Sequence, residues 1–134
     1  RALIAGVPQW THWPLFTLPD GGAWARDRIA LLGDAAHAML PFMAQGAGMA
    51  IEDAAVLADA LATTPDDPAA AFARYAQARR ERVARVQRTA RRNGRIYHLR
   101  GLPALARDLA MQALGGERLL AQQDWVYRWR APEA

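Results

Sequence analysis

The sequence predicts an α/β fold that is mostly helical in this segment, with two or three short strands. The first observation is a short, continuous apolar run at residues 28–32 (RIALL), which stops at Gly33-Asp34 and is typical of a strand buried on both faces. The second is a set of three helical apolar patterns farther along the chain. Because two or three short strands do not make a stable sheet alone, we expect these residues to be the C-terminal part of a larger protein.

The first candidate strand is residues 10–18 (WTHWPLFTL), a run of aromatic and β-forming residues that includes His12. Pro14 within it indicates an edge strand or a bend. The sequence PDGG at 19–22 predicts the turn that follows.

A helix is predicted from Gly46 to about Ala62, and it is apolar nearly all round, which indicates a buried helix. Asp67 then has the character of an N-cap, with Pro68 at the first position of a long helix that runs to about Tyr97. Gly94 is a site where that helix could bend or end. The inner stripe of the long helix is predicted to be Phe72, Ala76, Val83, Val86 and Ala90.

Residues 102–114 (LPALARDLAMQAL) predict a further amphipathic helix, which Gly115-Gly116 should stop. The aromatic tail DWVYRWR fits either a strand or an irregular anchor. By position the chain divides into residues 1–27, 28–64 and 65–134.

Arginine carries all of the positive charge: the net charge is +4, the chain has no Lys, and ten of its seventeen Arg lie between Arg74 and Arg100. A nucleic-acid patch is one interpretation. The favoured one is a solvated helix face, because these Arg lie around several sides of the helix without interleaved aromatic residues. Arg79 and Arg80 lie near the apolar stripe, so we expect one of them to pair with an acid elsewhere in the full protein.

The composition narrows the class of protein further. The chain has no Cys, which fits a reducing compartment, and we expect a cytoplasmic protein. It has no apolar run of the ~20 residues that a membrane span needs. We therefore expect no membrane span. We also expect no nucleic-acid partner, because the Arg residues favour a solvated helix face.

Asp34 and the segment 44–48 (AQGAG) are the candidate site. A carboxylate at the carboxyl end of a strand can accept hydrogen bonds from the hydroxyls of a ligand, and it can equally cap the turn DAAH. The helix that opens at Gly46 has free N–H groups and no bulky side chain over them, which suits an anion, although small residues also allow tight packing. Together with Pro41 between them, the two features suggest a ligand with a polyol arm and a flat end.

The stretch GDAAHAMLPFMAQGAGMAIEDAAVLADAL, residues 33–61, resembles the second FAD-binding motif of the FAD-dependent aromatic hydroxylases, the para-hydroxybenzoate hydroxylase group. Within that group, MAQGAGMAIEDA is most similar to the salicylate and 3-hydroxybenzoate hydroxylase branch. Three further stretches also resemble these enzymes. They are the segment that leads into the motif (HWPLFTLP…W…RIALLGDAAH), the long Arg-rich helix and the terminal DWVY. The resemblance thus covers nearly all of the chain.

The resemblance implies a doubly wound FAD-binding fold, with residues 1–27 ending a substrate-domain sheet, 28–64 forming the FAD-binding segment and 65–134 forming the C-terminal helices and tail. Asp34 would bind the ribityl chain, Pro41 would lie beside the isoalloxazine ring, and the N–H groups around Ala47 and Gly48 would face the flavin N1/C2 carbonyl edge. The implied cofactor-binding residues are Gly33, Asp34, Pro41, Gln45, Gly46, Ala47 and Gly48.

The implied function is hydroxylation of a phenolic or similar aromatic substrate with NAD(P)H and O2 through a flavin C4a-hydroperoxide. The alternatives are a related FAD oxidoreductase with a non-aromatic or polyprenyl substrate and, more remotely, an Arg-rich helical binding module without enzymatic activity. The implied partners are a small aromatic substrate, the missing N-terminal part of the same protein and, as an option, a second copy in a homodimer.

This chain departs from the family pattern at Gly48, where many relatives have Asn, and it lacks the G-x-G-x-x-G pyrophosphate motif. The chain alone should therefore hold FAD poorly. His37 is interpreted as a packing or hydrogen-bonding residue, and Glu52 and Asp53 as structural acids in the first turns of the buried helix. None of these residues is assigned a catalytic or metal-binding role.

Overall fold

A computed structural model describes residue 4 and residues 6–132. Two short strands precede a run of helices. The strands are β1 (Ala25–Arg26) and β2 (Ile29–Ala30), and the helices are α1 (Asp34–His37), α2 (Gly46–Thr63), α3 (Pro68–Tyr97), α4 (Gly101–Ala121) and α5 (Asp124–Tyr127), with a 3₁₀ turn at Pro41–Met43 between α1 and α2. The prediction of a mostly helical segment with a small sheet is confirmed.

The two strands form an antiparallel hairpin in which Ala25 lies opposite Ala30. Asp27 at the turn has a left-handed φ of 52°. The prediction that residues 28–32 form a strand is confirmed only in part, since β2 is two residues long. The burial of this strand on both faces concerns a larger sheet and stays a prediction, because Ile29, Leu31 and Leu32 are exposed in the described part of the chain. The reason is that β1 is the only strand paired with β2 in the described part of the chain.

The predicted strand at residues 10–18 was also wrong, because this segment has no regular secondary structure. Trp13 and Phe16 are each 79% exposed. A strand needs a hydrogen-bonded neighbour, and among the described residues the segment has only a bond from Leu18 N–H to the Ala38 carbonyl, 3.1 Å. The turn predicted at residues 19–22 is present.

The core lies between α2 and α3, whose packing is the largest contact in the fold. Met49 and Ala60 of α2 are buried against an α3 stripe, and Trp24 closes the core beside β1. The predicted α3 stripe is confirmed except at Phe72, which is half-buried. The buried α3 residues are Ala71, Tyr75, Ala76, Arg79, Val83, Val86, Gln87, Ala90 and Gly94.

Helix α3 begins as predicted. The Asp67 carboxylate accepts a hydrogen bond from Ala70 N–H, 3.0 Å, and Pro68 occupies the first helical position. The helix continues past Gly94 to Tyr97, so Gly94 does not end it.

Helix α4 is interrupted at Gly115, whose φ of 72° and ψ of 163° are not helical, so the predicted stop is confirmed in the backbone and a further helical stretch follows. The aromatic tail forms the short helix α5 and then an irregular segment; the strand alternative was wrong. Among the described residues, no helix combines the length and apolar character required to cross a membrane.

Candidate functional site

Gly33 sets the direction of the chain where β2 leads into α1. Its φ of +59° is favoured only by glycine, and a Cβ added there would lie 3.2 Å from the Ala50 Cβ of α2. The sharp turn places Asp34 at the start of α1, with its side chain exposed. Among the described residues no donor hydrogen-bonds the Asp34 carboxylate, so the turn-cap alternative has no hydrogen bond to support it.

The N-terminus of α2 is uncapped by side chains. Gln45 is its N-cap residue and makes no side-chain capping bond, and the first turn contains no acid. The first amide of this helix to bond within it is that of Met49, which donates to the Gln45 carbonyl, 2.8 Å. The N–H groups of residues 46–48 therefore lack intrahelical partners, as expected at a helix start.

The Asp34 carboxylate and this helix N-terminus are adjacent. A Cβ added at Gly46 would lie 3.9 Å from Asp34 Oδ1. The absence of a side chain at Gly46 thus keeps the space between a hydrogen-bond acceptor and a group of free donors open. The sequence predicted both features, and the structure brings them together.

Pro41 opens the 3₁₀ turn that leads from α1 to α2, and it is exposed. The turn is fixed from the other side by Asn93 of α3, whose amide donates to the Phe42 carbonyl, 3.1 Å. Ala44 follows with a left-handed φ of 51° and redirects the chain into α2. Pro41 therefore lies on a short segment tied to α3, between the two halves of the candidate site.

A buried carboxylate on α2 holds these segments together. Asp53 Oδ2 accepts hydrogen bonds from Gly33 N–H, 3.0 Å, and from His37 Nε2, 2.5 Å, while its Oδ1 accepts from Arg79 Nε, 2.8 Å. Burial alone would raise the pKa of Asp53. The donors His37, Arg79 and the Gly33 N–H outweigh it and hold the pKa below its ordinary value of 3.8.

The ion-pair network extends from this carboxylate to the C-terminal tail. Arg79, 2% exposed, also pairs with Glu52, 2.7 Å, which confirms that a guanidinium beside the apolar stripe has an acidic partner. Arg82 binds both oxygens of Glu52 at 2.6 Å and donates to the carbonyls of Trp125 and Val126. The structural interpretation of Glu52 and Asp53 is confirmed.

His37 is a hydrogen-bonding residue, as predicted, but its partner was missed. Asp53 lies sixteen residues away, on an element whose approach to α1 no local pattern indicates. The ring also packs against Trp24, with 5.1 Å between centroids. Its Nδ1 is buried without a hydrogen-bond partner among the described residues.

These features define a class of site. An exposed carboxylate suits hydroxyl groups, and a helix N-terminus with free N–H groups suits a group that carries or develops negative charge. Gly46 lies between the two, next to the Asp34 carboxylate, so that one ligand could contact both. The site is thus suited to an extended cofactor with a polyol arm and an electron-accepting end, and FAD has both.

Comparison with protein families gives the same cofactor. A family model described as an FAD binding domain matches residues 21–92, just over half of the chain. The chain belongs to this family of FAD-binding domains, and the resemblance to the FAD-dependent aromatic hydroxylases is confirmed.

The curated relatives are hydroxylases and monooxygenases. The chain is 37% identical over 130 residues to 3-hydroxybenzoate 6-hydroxylase of Klebsiella oxytoca, which covers 97% of this chain and 33% of that protein. It is 50% identical over 94 residues to 6-hydroxynicotinate 3-monooxygenase of Bordetella bronchiseptica, covering 69% and 24%, and 39% identical over 130 residues to salicylate hydroxylase of Pseudomonas putida, covering 95% and 29%. The chain spans about one third of the length of the first of these relatives.

Proposed function

We propose that this chain is the flavin-binding C-terminal part of an FAD-dependent monooxygenase that hydroxylates a phenolic or similar aromatic ring. The observation that carries the proposal is the pairing of the Asp34 carboxylate with the uncapped N-terminus of α2, in a chain that belongs to an FAD-binding family. The three relatives above, which act on 3-hydroxybenzoate, 6-hydroxynicotinate and salicylate by their names, support an aromatic substrate.

Each side of the site has a distinct role in this proposal. Asp34 accepts hydrogen bonds from the ribityl hydroxyls, beside the turn set by Gly33. The N–H groups of Gly46, Ala47 and Gly48 face the N1/C2 carbonyl edge of the ring, where the positive end of the α2 dipole stabilises negative charge. Because these contacts use backbone N–H groups, they require no side-chain donor at position 48, where this chain has Gly.

Gln45 and Pro41 complete the proposed cofactor contacts. Gln45 is the N-cap residue of α2, and Pro41 forms a wall beside the ring. Bound FAD, reduced by NAD(P)H, supplies the chemistry that activates O2 for ring hydroxylation. The residues of this chain bind and orient the cofactor, and no acid–base residue is proposed among them.

The rest of the polypeptide completes the site. We propose that an N-terminal part of the same protein supplies the pyrophosphate-binding half and the remaining strands of a doubly wound sheet, in which residues 28–64 form the FAD-binding segment. Residues 1–27 then end the substrate-domain sheet, and 65–134 form the C-terminal helices and tail. A cytoplasmic location and the option of a homodimer belong to the same proposal.

The complete polypeptide tests this function. We expect flavin absorption bands in the purified protein or after reconstitution with FAD. We also expect NAD(P)H oxidation that a phenolic acid such as 3-hydroxybenzoate or salicylate stimulates, with a hydroxylated product by mass spectrometry. A flavoprotein that oxidises only non-aromatic or polyprenyl substrates would favour the alternative oxidoreductase. Absence of flavin even after reconstitution would contradict the proposal.

A further inference from the structure

A single carboxylate oxygen holds both ends of the turn that carries Asp34. Asp53 Oδ2 accepts from Gly33 N–H just before α1 and from His37 Nε2 at its last residue. Because α1 is one turn long, these two bonds leave it little freedom to rotate or slide. The position of Asp34, its first residue, is set from α2.

The same carboxylate is fixed relative to the other half of the site. Asp53 lies seven residues after Gly46 on α2, about 10 Å along one continuous helix at 1.5 Å per residue. Arg79 of α3 holds its second oxygen at 2.8 Å. Asp53 thus joins the Asp34 turn and the free N–H groups of α2 within one rigid element.

Stability alone does not account for this arrangement. A buried ion pair contributes little net stability compared with well-packed apolar residues, because both partners lose their hydration. Its directional bonds do fix relative orientation. Glu52 offers a contrast on the same helix, since it binds Arg79 and Arg82 and makes no hydrogen bond to the Asp34 turn.

We propose that His37 and Asp53 are positioning residues for the cofactor: they hold the Asp34 carboxylate in register with the N-terminus of α2, so that one FAD molecule can reach both. The inference rests on the proposed function. Neither side chain contacts the cofactor in this account. Both act through Asp34 and the backbone of Gly33.

The test uses the complete polypeptide and measures the dissociation constant of FAD after removal of bound flavin. In His37→Phe the Asp53 bond is lost while the ring volume remains, and the bonds from Arg79 and Gly33 still pair the acid. We expect FAD to bind ~10-fold more weakly in His37→Phe, and His37→Gln, which restores a donor, to recover part of that loss. Asp53→Asn should weaken FAD binding at least as much as His37→Phe does. If Asp53→Asn does not fold, His37→Phe by itself tests the inference.

Glu52→Gln is the matched control, because it removes a buried negative charge from the same helix without touching the turn. We expect it to lower the melting temperature and to leave FAD affinity unchanged. A second readout is the coupling to Asp34: in an Asp34→Ala background, His37→Phe should change FAD affinity less than ~2-fold, since positions that act through one group are not additive.

Two results would overturn the inference. One is an FAD affinity in His37→Phe equal to that of the wild type. The other is a loss in Glu52→Gln as large as that in His37→Phe, which would show a general effect of stability. A wild-type protein that binds no FAD would instead contradict the proposed function, so the two failures are distinguishable.

Discussion

At the scale of single residues, position 94 requires glycine because a side chain there would meet the Phe42 ring, and not because of its backbone conformation. It lies in the interior of α3, and a Cβ there would come within 2.7 Å of two ring carbons of Phe42. That ring packs edge-on against Tyr97 and His98. Gly94 therefore lets the segment that carries Pro41 lie close against α3.

We expect Gly94→Ala to lower the free energy of unfolding by about 1–2 kcal/mol, because the ring must move and the cost of overpacking exceeds the gain in helix propensity. Gly116→Ala is the control, since an added Cβ there meets nothing within 4 Å. Urea unfolding of both variants checks this. Equal effects of the two substitutions would show that the Phe42 contact does not limit residue 94.

Tyr75 links α3 to the end of the hairpin through a hydroxyl that donates to the Leu31 carbonyl, 2.9 Å. Burial, and then the negative charge of Asp53, raise the pKa of Tyr75 above its ordinary value of 10.0. The fold thus favours the protonated phenol. The contribution of Tyr75 to the free energy of unfolding is therefore fully present below pH 10. It is lost as the pH rises from 10 toward the higher pKa of Tyr75 in the folded state.

We therefore expect the ionisation of Tyr75 to lower the free energy of unfolding above pH 10 by up to about 1.4 kcal/mol per pH unit. Tyr75→Phe should cost about 1 kcal/mol at pH 7, from the lost hydrogen bond, and should flatten the alkaline decline. Unfolding midpoints from pH 7 to pH 11.5 measure both effects. An unchanged alkaline slope in Tyr75→Phe would show that another group causes the decline.

The sequence indicated Asp34, Pro41 and the Gly-rich segment because turn residues and helix starts leave local signals. It did not indicate the bond between His37 and Asp53, which depends on how α1 approaches α2. Such a contact has no periodicity. The partner of Arg79 was anticipated only as an acid of unknown position, for the same reason.

At element scale, the helices were predictable and the strands were not. The bounds of α2 and α3 follow from apolar spacing and from the Asp67–Pro68 start, which are local. A strand depends on a neighbouring strand that supplies a ladder of hydrogen bonds, and among the described residues the 10–18 segment makes only the single bond from Leu18 N–H to the Ala38 carbonyl. The tail forms the helix α5, and Arg82 of α3 binds the carbonyls of Trp125 and Val126 in it, a contact that no local pattern in the sequence indicates.

Arg82 is the anchor of this tail. It binds Glu52 and the carbonyls of Trp125 and Val126, and its guanidinium lies 6.0 Å from the centre of the Trp125 ring. Arg82→Met should therefore release the tail while Arg79 still pairs with Glu52.

We expect the amides of residues 124–129 to exchange with deuterium at least ~10-fold faster in Arg82→Met, because their local opening becomes easier. Arg80→Met, at an exposed position of the same helix, is the control and should leave the tail unchanged. Hydrogen exchange followed by mass spectrometry reports both. Equal protection of the tail in Arg82→Met and the wild type would contradict the anchoring role.

At the scale of the whole molecule, this chain carries the residues that we propose for one part of an FAD site. It spans about one third of the first relatives it matches. Its own ion pairs tie the Asp34 turn to α2, while most of the large apolar residues of the 10–18 segment and of α4 lie exposed. The sequence indicated Asp34 and the bare helix start as a candidate site because each has its own chemistry, and their separate roles toward FAD stay a proposal.

The central claim is that Asp34 binds the polyol arm of FAD, and the dissociation constant of FAD in the complete polypeptide tests it most directly. We expect Asp34→Ala to bind FAD ~10- to 100-fold more weakly, as for the loss of hydrogen bonds to a charged group. Asp66→Ala, a change at an exposed Asp outside the site, should bind FAD as the wild type does. An unchanged dissociation constant in Asp34→Ala would contradict the account.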